Sequence, residues 1–267
     1  MVGVYRVWHG SFHWKGAGWL IRWAAPFTRG LQQFPLHLDE GQNVAVDFRD
    51  PAAFGWLYHL LGESYQEDGL VHAIQLTTFP QSVIWDIGAN SGLLSYRLAA
   101  WSCGKQIEIH SFEPNPTVFS MARTALAPFP FVHLHNCALS DSETVLTLNI
   151  PAEGSACASL ETGAAEPMTR VEVHCYRGDS LQGIPFPDII KIDTEGHELK
   201  VLAGLSGIIA TKKPLVFFEN ISLTDEEIQA NTPPDYQIYS VSNDDGSLTQ
   251  GIHRELGHNC LFATIKA

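Results

Sequence analysis

The sequence predicts an α/β protein built on a doubly wound, mostly parallel sheet, and three observations predict it. From Val83 onward, short β-branched and aromatic runs alternate with helix-period apolar stripes. The first run, Val83-Ile84-Trp85, enters a turn, Asp86-Ile87-Gly88-Ala89-Asn90-Ser91-Gly92, and the stripe Leu93, Leu94, Leu98 and Trp101 follows at once. Acids then stand at the ends of later apolar runs: Glu113, Asp193 and Glu219. Strand, glycine turn and helix N-terminus is the arrangement that holds nucleotide-like ligands in open α/β sheets.

In chain order, residues 1–35 come first and are rich in aromatics, with Gly16-Ala17-Gly18 inside the run and a short helix expected over Trp19–Ala25, stopped by Pro26. This segment is expected to cap the main domain, since its aromatics lack the clean basic face of a membrane-surface helix. Leu36–Phe48 reads as a β-hairpin turning at Asp39–Asn43. Trp56–Leu61 and Leu70–Leu76 read as helices, so residues 1–79 form an extension and 80–267 the main domain. A second strand, Ile107–Phe112, ends at Glu113, and Pro114-Asn115-Pro116 opens a helix over Thr117–Ala127. Phe131–Asn136 is the third strand, followed by Cys137–Asp141. Val145–Ile150 looks like an added antiparallel strand, 151–170 a small-residue loop, and Val171–Cys175 another strand. Phe186–Asp193 is a buried parallel strand, with a helix from Thr194–Glu198 through Leu205. Pro214–Phe218 ends at Glu219-Asn220, and 236–241 and 259–265 supply the last strands.

Bulk properties narrow the function. The chain has 267 residues, 45% of them hydrophobic and 17% charged, which suits one large globular domain with an extension rather than a disordered chain. A net charge of −13 argues against a nucleic-acid partner, whose sites collect Lys and Arg. Residues 1–35 hold four basic residues and no acid, so the acidity sits in the rest of the chain. Five scattered cysteines without Cys-x-x-Cys give no disulfide framework or zinc site, and apolar runs fall short of a membrane span. A cytoplasmic protein is expected.

The turn is spaced Asp-x-Gly-x-Asn-x-Gly, which is neither a dinucleotide fingerprint nor a P-loop. An acid there repels phosphate and suits a cofactor carrying an amine and a sulfonium, which points to S-adenosylmethionine. Glu113, closing the second strand, stands where ribose hydroxyls are held in such sheets.

Several blocks together resemble the FkbM-type family of S-adenosylmethionine-dependent methyltransferases. They are Trp85-Asp86-Ile87-Gly88-Ala89-Asn90-Ser91-Gly92, Phe112-Glu113-Pro114-Asn115, Ala138-Leu139-Ser140-Asp141, Lys191-Ile192-Asp193-Thr194-Glu195-Gly196-His197-Glu198 and Asn259-Cys260-Leu261-Phe262-Ala263. The resemblance covers roughly residues 80–265 and implies the seven-stranded class I methyltransferase fold, with O-methylation of a hydroxyl on a sugar or secondary metabolite. It implies that Asp86, Gly88, Asn90, Ser91 and Gly92 hold the cofactor's methionine and sugar parts. Glu113, with Pro114 and Asn115, would take the ribose, and Ala138, Ser140 and Asp141 the adenine.

A sugar hydroxyl is a poor nucleophile, so a positioned base is expected. The candidates at the carboxyl ends of the fourth and fifth strands are Asp193, Glu219, Glu195 and His197, with Asp193 first and also beside the cofactor. Asp193 with Glu219-Asn220 resembles a Mg²⁺ ligand set in metal-assisted catechol-type methyltransferases, an alternative reading. A nicotinamide-dependent oxidoreductase is another, but Leu93-Leu94-Ser95 stand where its third loop glycine would fall. No metal is expected: His133 and His135 share a strand face but lack a third ligand.

Overall fold

Alternation of buried side chains along β3 (Val83–Ile87) and β4 (Glu108–Phe112) already shows two apolar layers, one on each face of a central sheet. The computed structural model describes residues 68–102, 104–151, 158–161 and 168–264, with pieces at 24–28, 30, 34–37, 43–46, 48, 53, 55 and 56. Residues 19–23 of the expected helix over Trp19–Ala25, and most of the 1–35 segment, lie outside the described residues.

β1 (Phe34–His37) and β2 (Asn43–Val46) pair antiparallel with Phe34 opposite Val46, which is the expected hairpin. α1 (Asp68–Thr77) precedes β3, α2 (Leu93–Trp101) follows it, and α3 (Pro116–Leu126) follows β4. The Asn115 side chain caps α3 by accepting from Thr117 N at 3.1 Å, and Pro116 takes the first turn, where a missing N–H costs nothing. β5 (Val132–His135) completes this half of the main sheet, before β6 (Ala138–Ser140), β7 (Thr144–Pro151) and β8 (Met168–Arg177).

The other half begins with β9 (Ile189–Ile192), which is buried along its whole length. α4 (Glu198–Gly204), α5 (Ser206–Lys212), β10 (Leu215–Glu219), α6 (Asp225–Ala230), β11 (Tyr236–Val241), β12 (Leu248–Gln250) and β13 (Asn259–Thr264) complete the chain. The sheet runs β12-β11-β13-β10-β9-β3-β4-β5, with β10, β9, β3, β4 and β5 parallel and β13 antiparallel to both neighbours. It has eight strands, not the expected seven. The extra one, β12, is short and exposed at every residue, so no apolar pattern marks it in the sequence.

Ile84, Ile109, Ile189, Phe217 and Leu261 pack under α1, α2 and α3 on one face. Trp85, Ile87, Ile190, Ile192, Val216, Phe218 and Phe262 pack under α4 and α5 on the other. Parallel strands covered on both faces read as continuous apolar runs, which is why this part of the chain was legible. Val46, Phe48, Ala53 and Trp56 are buried within the first of these layers.

β7 is not added to the main sheet. With β6 and the ten-residue β8 it makes a second, three-stranded sheet in the order β6-β8-β7, twice as long at β8 as Val171–Cys175 implied.

Candidate functional site

Strand order reverses at β3: the chain proceeds outward through β4 and β5, then returns to lay β9 on β3's other side. The gap above the carboxyl ends of β3 and β9 is the switch point where such sheets bind ligands. A cleft of about 1030 Å³, partly open to solvent, lies there. Its lining includes Gly88, Asn90, Glu113, Lys191, Asp193 and Glu195 among the polar positions, and Phe112, Leu139, Leu148 and Leu160 among the apolar ones.

The turn after β3 is shaped by left-handed residues: Gly88 at φ 82°, Asn90 at 50° and Gly92 at 83°. Protein packing alone already requires both glycines. A Cβ on Gly88 would overlap the Asp193 carbonyl, and one on Gly92 would meet Ala122 of α3 at 2.9 Å. Close contact between the two loops draws Asp193 to the cleft.

Glu113 is buried and held from both sides. Its Oε2 accepts from Asn90 N at 2.8 Å and its Oε1 from Asn115 N at 2.7 Å. Burial outweighs these bonds and pushes its pKa up to about 7. Each oxygen retains a lone pair, so a ligand offering two O–H groups fits it. Pro114 and Ala138 line the cleft beside it.

Asp86 does not reach the cleft. It is fully buried, Oδ2 accepts from Ser95 Oγ at 2.6 Å, and Oδ1 has no hydrogen-bond partner, with the Lys191 ammonium 3.6 Å away. Lys191 also lies 3.3 Å from Asp193 Oδ2 and donates to Gly88 O at 3.3 Å. In the sequence this lysine stands in a resemblance block without a role, although a lysine inside an apolar strand is a visible signal, because buried Lys is almost always paired.

Ser91 donates no backbone contact to Glu113; its Oγ instead accepts from Trp56 Nε1 at 3.0 Å, which brings the extension to the cleft, where Gly55 also stands. Ser140 Oγ and His197 Nε2 are 2.9 Å apart, and His197 Nδ1 is 2.7 Å from Glu161 Oε1, which Lys200 also reaches at 2.8 Å. His197 therefore lines the cleft while tying β6 and the start of α4 to the 158–161 segment. Glu161 carried no signal in the sequence, being in a loop far from its partners. Asp141 is exposed outside the cleft, with Ser142 and Ser140 hydroxyls lowering its pKa.

Of the acids expected as bases, Asp193 and Glu195 line the cleft, and Glu219 stands close enough to act on both. Burial, reinforced by the charges of Asp193 and Glu198, pushes Glu195 up to about 7. Burial with the charges of Asp193 and Glu195 pushes Glu219 to about 8. Glu198 is spent on structure: it accepts from Thr194 N, Thr194 Oγ1, Gly196 N and Ser222 Oγ, at 2.9, 3.1, 3.1 and 2.9 Å, and so fixes the loop that presents Glu195 at φ 53°. Asn220, the third member of the magnesium alternative, donates through Nδ2 to Cys260 Sγ at 3.1 Å.

Six strands running in one direction, the antiparallel β13 wedged between the last two of them, β10 and β11, and an acid-rimmed cleft at the switch point define the class I methyltransferase architecture. The model of the methyltransferase FkbM domain matches residues 86–262. The chain belongs to that family. The hexuronic acid methyltransferase AglP of Haloferax volcanii is 30% identical over 132 residues, 48% of this chain and 51% of that one, so the chain spans about half the length of this curated relative. Among solved structures, methyltransferase FkbM from Methylobacillus flagellatus KT is 18% identical, over 78% of this chain and 52% of that one, with a TM-score of 0.48. Aeropyrum pernix fibrillarin, crystallised with natively bound S-adenosyl-L-methionine, is 11% identical over 73% and 74%, with a TM-score of 0.44. Among the described residues, no helix is long and apolar enough to cross a membrane.

Proposed function

We propose that this protein transfers a methyl group from S-adenosylmethionine to a hydroxyl of a sugar or similar small acceptor. The observation that carries this reading is Glu113, whose oxygens are each held by one backbone N–H and each keep a lone pair toward the cleft. A ribose presents two adjacent O–H donors to such a carboxylate. The apolar wall of Leu139, Leu148 and Leu160 suits a flat base, and Asp141, exposed next to Ser140, is the proposed partner of an adenine amine. The acids Asp193 and Glu195 suit a cationic centre. When bound, S-adenosylmethionine supplies an electrophilic methyl on that cation.

The chain's own residues then orient the acceptor and take its proton. We assign the base to Glu195, whose pKa of about 7 matches neutral operation, and the orienting role to Asp193, already engaged by Lys191. This reverses the order favoured by sequence alone. Glu219, which feels the charges of both and is pushed up to about 8, is a further proton acceptor at higher pH. The acidic rim favours a neutral hydroxyl over a carboxylate acceptor, because like charges at close range oppose binding. The extension reaches the cleft through Gly55 and Trp56, which supports a cap over the acceptor mouth. The free thiols of Cys137, Cys175 and Cys260 suit a reducing compartment, and we place the protein in the cytoplasm.

Titration calorimetry with S-adenosylmethionine, its demethylated product and NAD tests the cofactor. Heat from NAD alone would overturn the reading. Methyl transfer to a panel of neutral glycosides and hexuronates tests the acceptor, and turnover restricted to hexuronate carboxyl groups would move the reaction from ether to ester formation.

A further inference from the structure

A separate cluster stands at the free end of the main sheet. Glu108, His110 and Phe112 share one face of β4, and His133 and His135 share the same face of β5. Parallel register sets His110 opposite His133 and Phe112 opposite His135. Glu108 Oε1 is 2.9 Å from His110 Nε2 and 3.4 Å from His133 Nε2, and the three ligand atoms lie within 4.8 Å of one another. Along the sequence, the pair His133 and His135 lacks a third ligand. Strand register supplies two more groups, 23 and 25 residues earlier in the chain.

We propose that Glu108, His110 and His133 bind a borderline divalent metal ion of the Zn²⁺ type, with His135 orienting His110. Two imidazoles and one carboxylate are ligands for such ions, and a fourth position is left to water. Metal–ligand bonds of about 2.0–2.2 Å in a tetrahedron place ligand atoms about 3.3–3.6 Å apart. The Glu108–His133 contact at 3.4 Å already has that spacing, and the Glu108–His110 hydrogen bond at 2.9 Å would open by about half an ångström when the ion replaces its proton. The gap between the two imidazoles adjusts through the His133 ring, which is nearly half exposed.

Hydrogen bonding around His110 suits both states. His110 Nδ1 is 3.0 Å from His135 Nε2. Without an ion, His110 donates from Nε2 to Glu108 and accepts at Nδ1 from His135. With one, the Nε2 lone pair goes to the metal and Nδ1–H donates to His135, the usual way a ligating histidine is held in its tautomer. The ion would tie the edge strand β5 to β4 just below Glu113, whose N–H donates to His135 O at 3.0 Å and whose carbonyl accepts from Asn136 Nδ2 at 2.8 Å. The proposal does not depend on the methyl-transfer reading.

The test uses untagged full-length protein, stripped with chelator and titrated with ZnCl₂ by calorimetry and thermal melting. One Zn²⁺ per chain and a melting temperature raised by several degrees are expected. Co²⁺ should give the intense visible bands of a tetrahedral site. His133→Ala, at an exposed position, should abolish the shift and the bands, Glu108→Gln should weaken binding at least tenfold, and His72→Ala on α1 should change neither. Absence of heat and shift with the wild-type protein, or binding unaltered in both His133→Ala and Glu108→Gln, would overturn the proposal.

Discussion

Lys191 and Asp86 are register partners across β9 and β3, and their charges meet 3.6 Å apart beneath the cleft floor. Both are buried, and the same ammonium reaches Asp193 at 3.3 Å. One cation thus balances an acid inside the sheet and an acid at its edge.

Removing that cation strands Asp86. Lys191→Met is expected to cost ~3–5 kcal/mol, the scale for breaking one side of a buried pair. Urea unfolding checks this. Adding Asp86→Asn, which can still accept from Ser95, should return a large part of the loss.

Glu113→Gln places an amide N–H₂ against either Asn90 N–H or Asn115 N–H, so one donor faces another. S-adenosylmethionine should bind ~10–100-fold more weakly, since charge-assisted hydrogen bonds are worth ~1.5–3 kcal/mol. Calorimetry reads the change, and unaltered affinity would remove Glu113 from the ribose role.

Stability should depend on pH with opposing slopes. Glu113, Glu195 and Glu219 have folded pKa values raised to about 7, 7 and 8, so the folded state holds more protons than the unfolded one above pH 4.5. Their contribution is present at low pH and lost as pH rises through 7 to 8. Burial lowers His110, and lowers His135 to about 4, so these two favour the folded state as pH rises toward 6.5. Between pH 6.5 and 8 only the acids act among these groups, and the melting temperature of ligand-free protein should fall. Glu219→Gln should flatten that fall.

The same acids set the activity profile. Glu195→Gln should lower kcat by ~10²–10⁴-fold and remove the ascending limb of kcat/KM near pH 7. Asp193→Asn should lower kcat less and keep the limb. A rate that rises with added Mg²⁺ would instead make Asp193 and Glu219 metal ligands. If Asp193→Asn alone removes the limb, the base is Asp193.

The parallel half of the fold was legible because its strands are buried on both faces and end in acids: Ile189–Ile192 with Asp193 could hardly be read otherwise. What escaped was decided by pairing across distance. β7 and β8 alternate like any antiparallel strands, and nothing local says that they leave the main sheet. Site residues show the same division. Glu113 and Glu195 follow from their place after strand ends. Asp86, expected to hold the cofactor, is instead buried against Ser95, and His197, though it lines the cleft, is also tied to Ser140 and Glu161, because a single sequence does not show which way such a side chain turns.

The segment 158–161 belongs to the outer sheet, through the Asn149–Ser159 bridge, yet places Ala158 and Leu160 in the cleft wall. Beyond its bonds to Asn149, it is fastened by Ser159 to the Glu195 carbonyl and by Glu161 to His197 and Lys200. One wall of the cleft is therefore a graft on a scaffold that does not carry Glu113 or the β3 turn. Sequence drift between β7 and β8 can recut that wall, which faces the base in the proposed reading, while Glu113 and the β3 turn stay fixed. For an engineer, this is the stretch to randomise when that wall of the cleft is to be reshaped, provided that Ser159 and Glu161 are kept as the stitches.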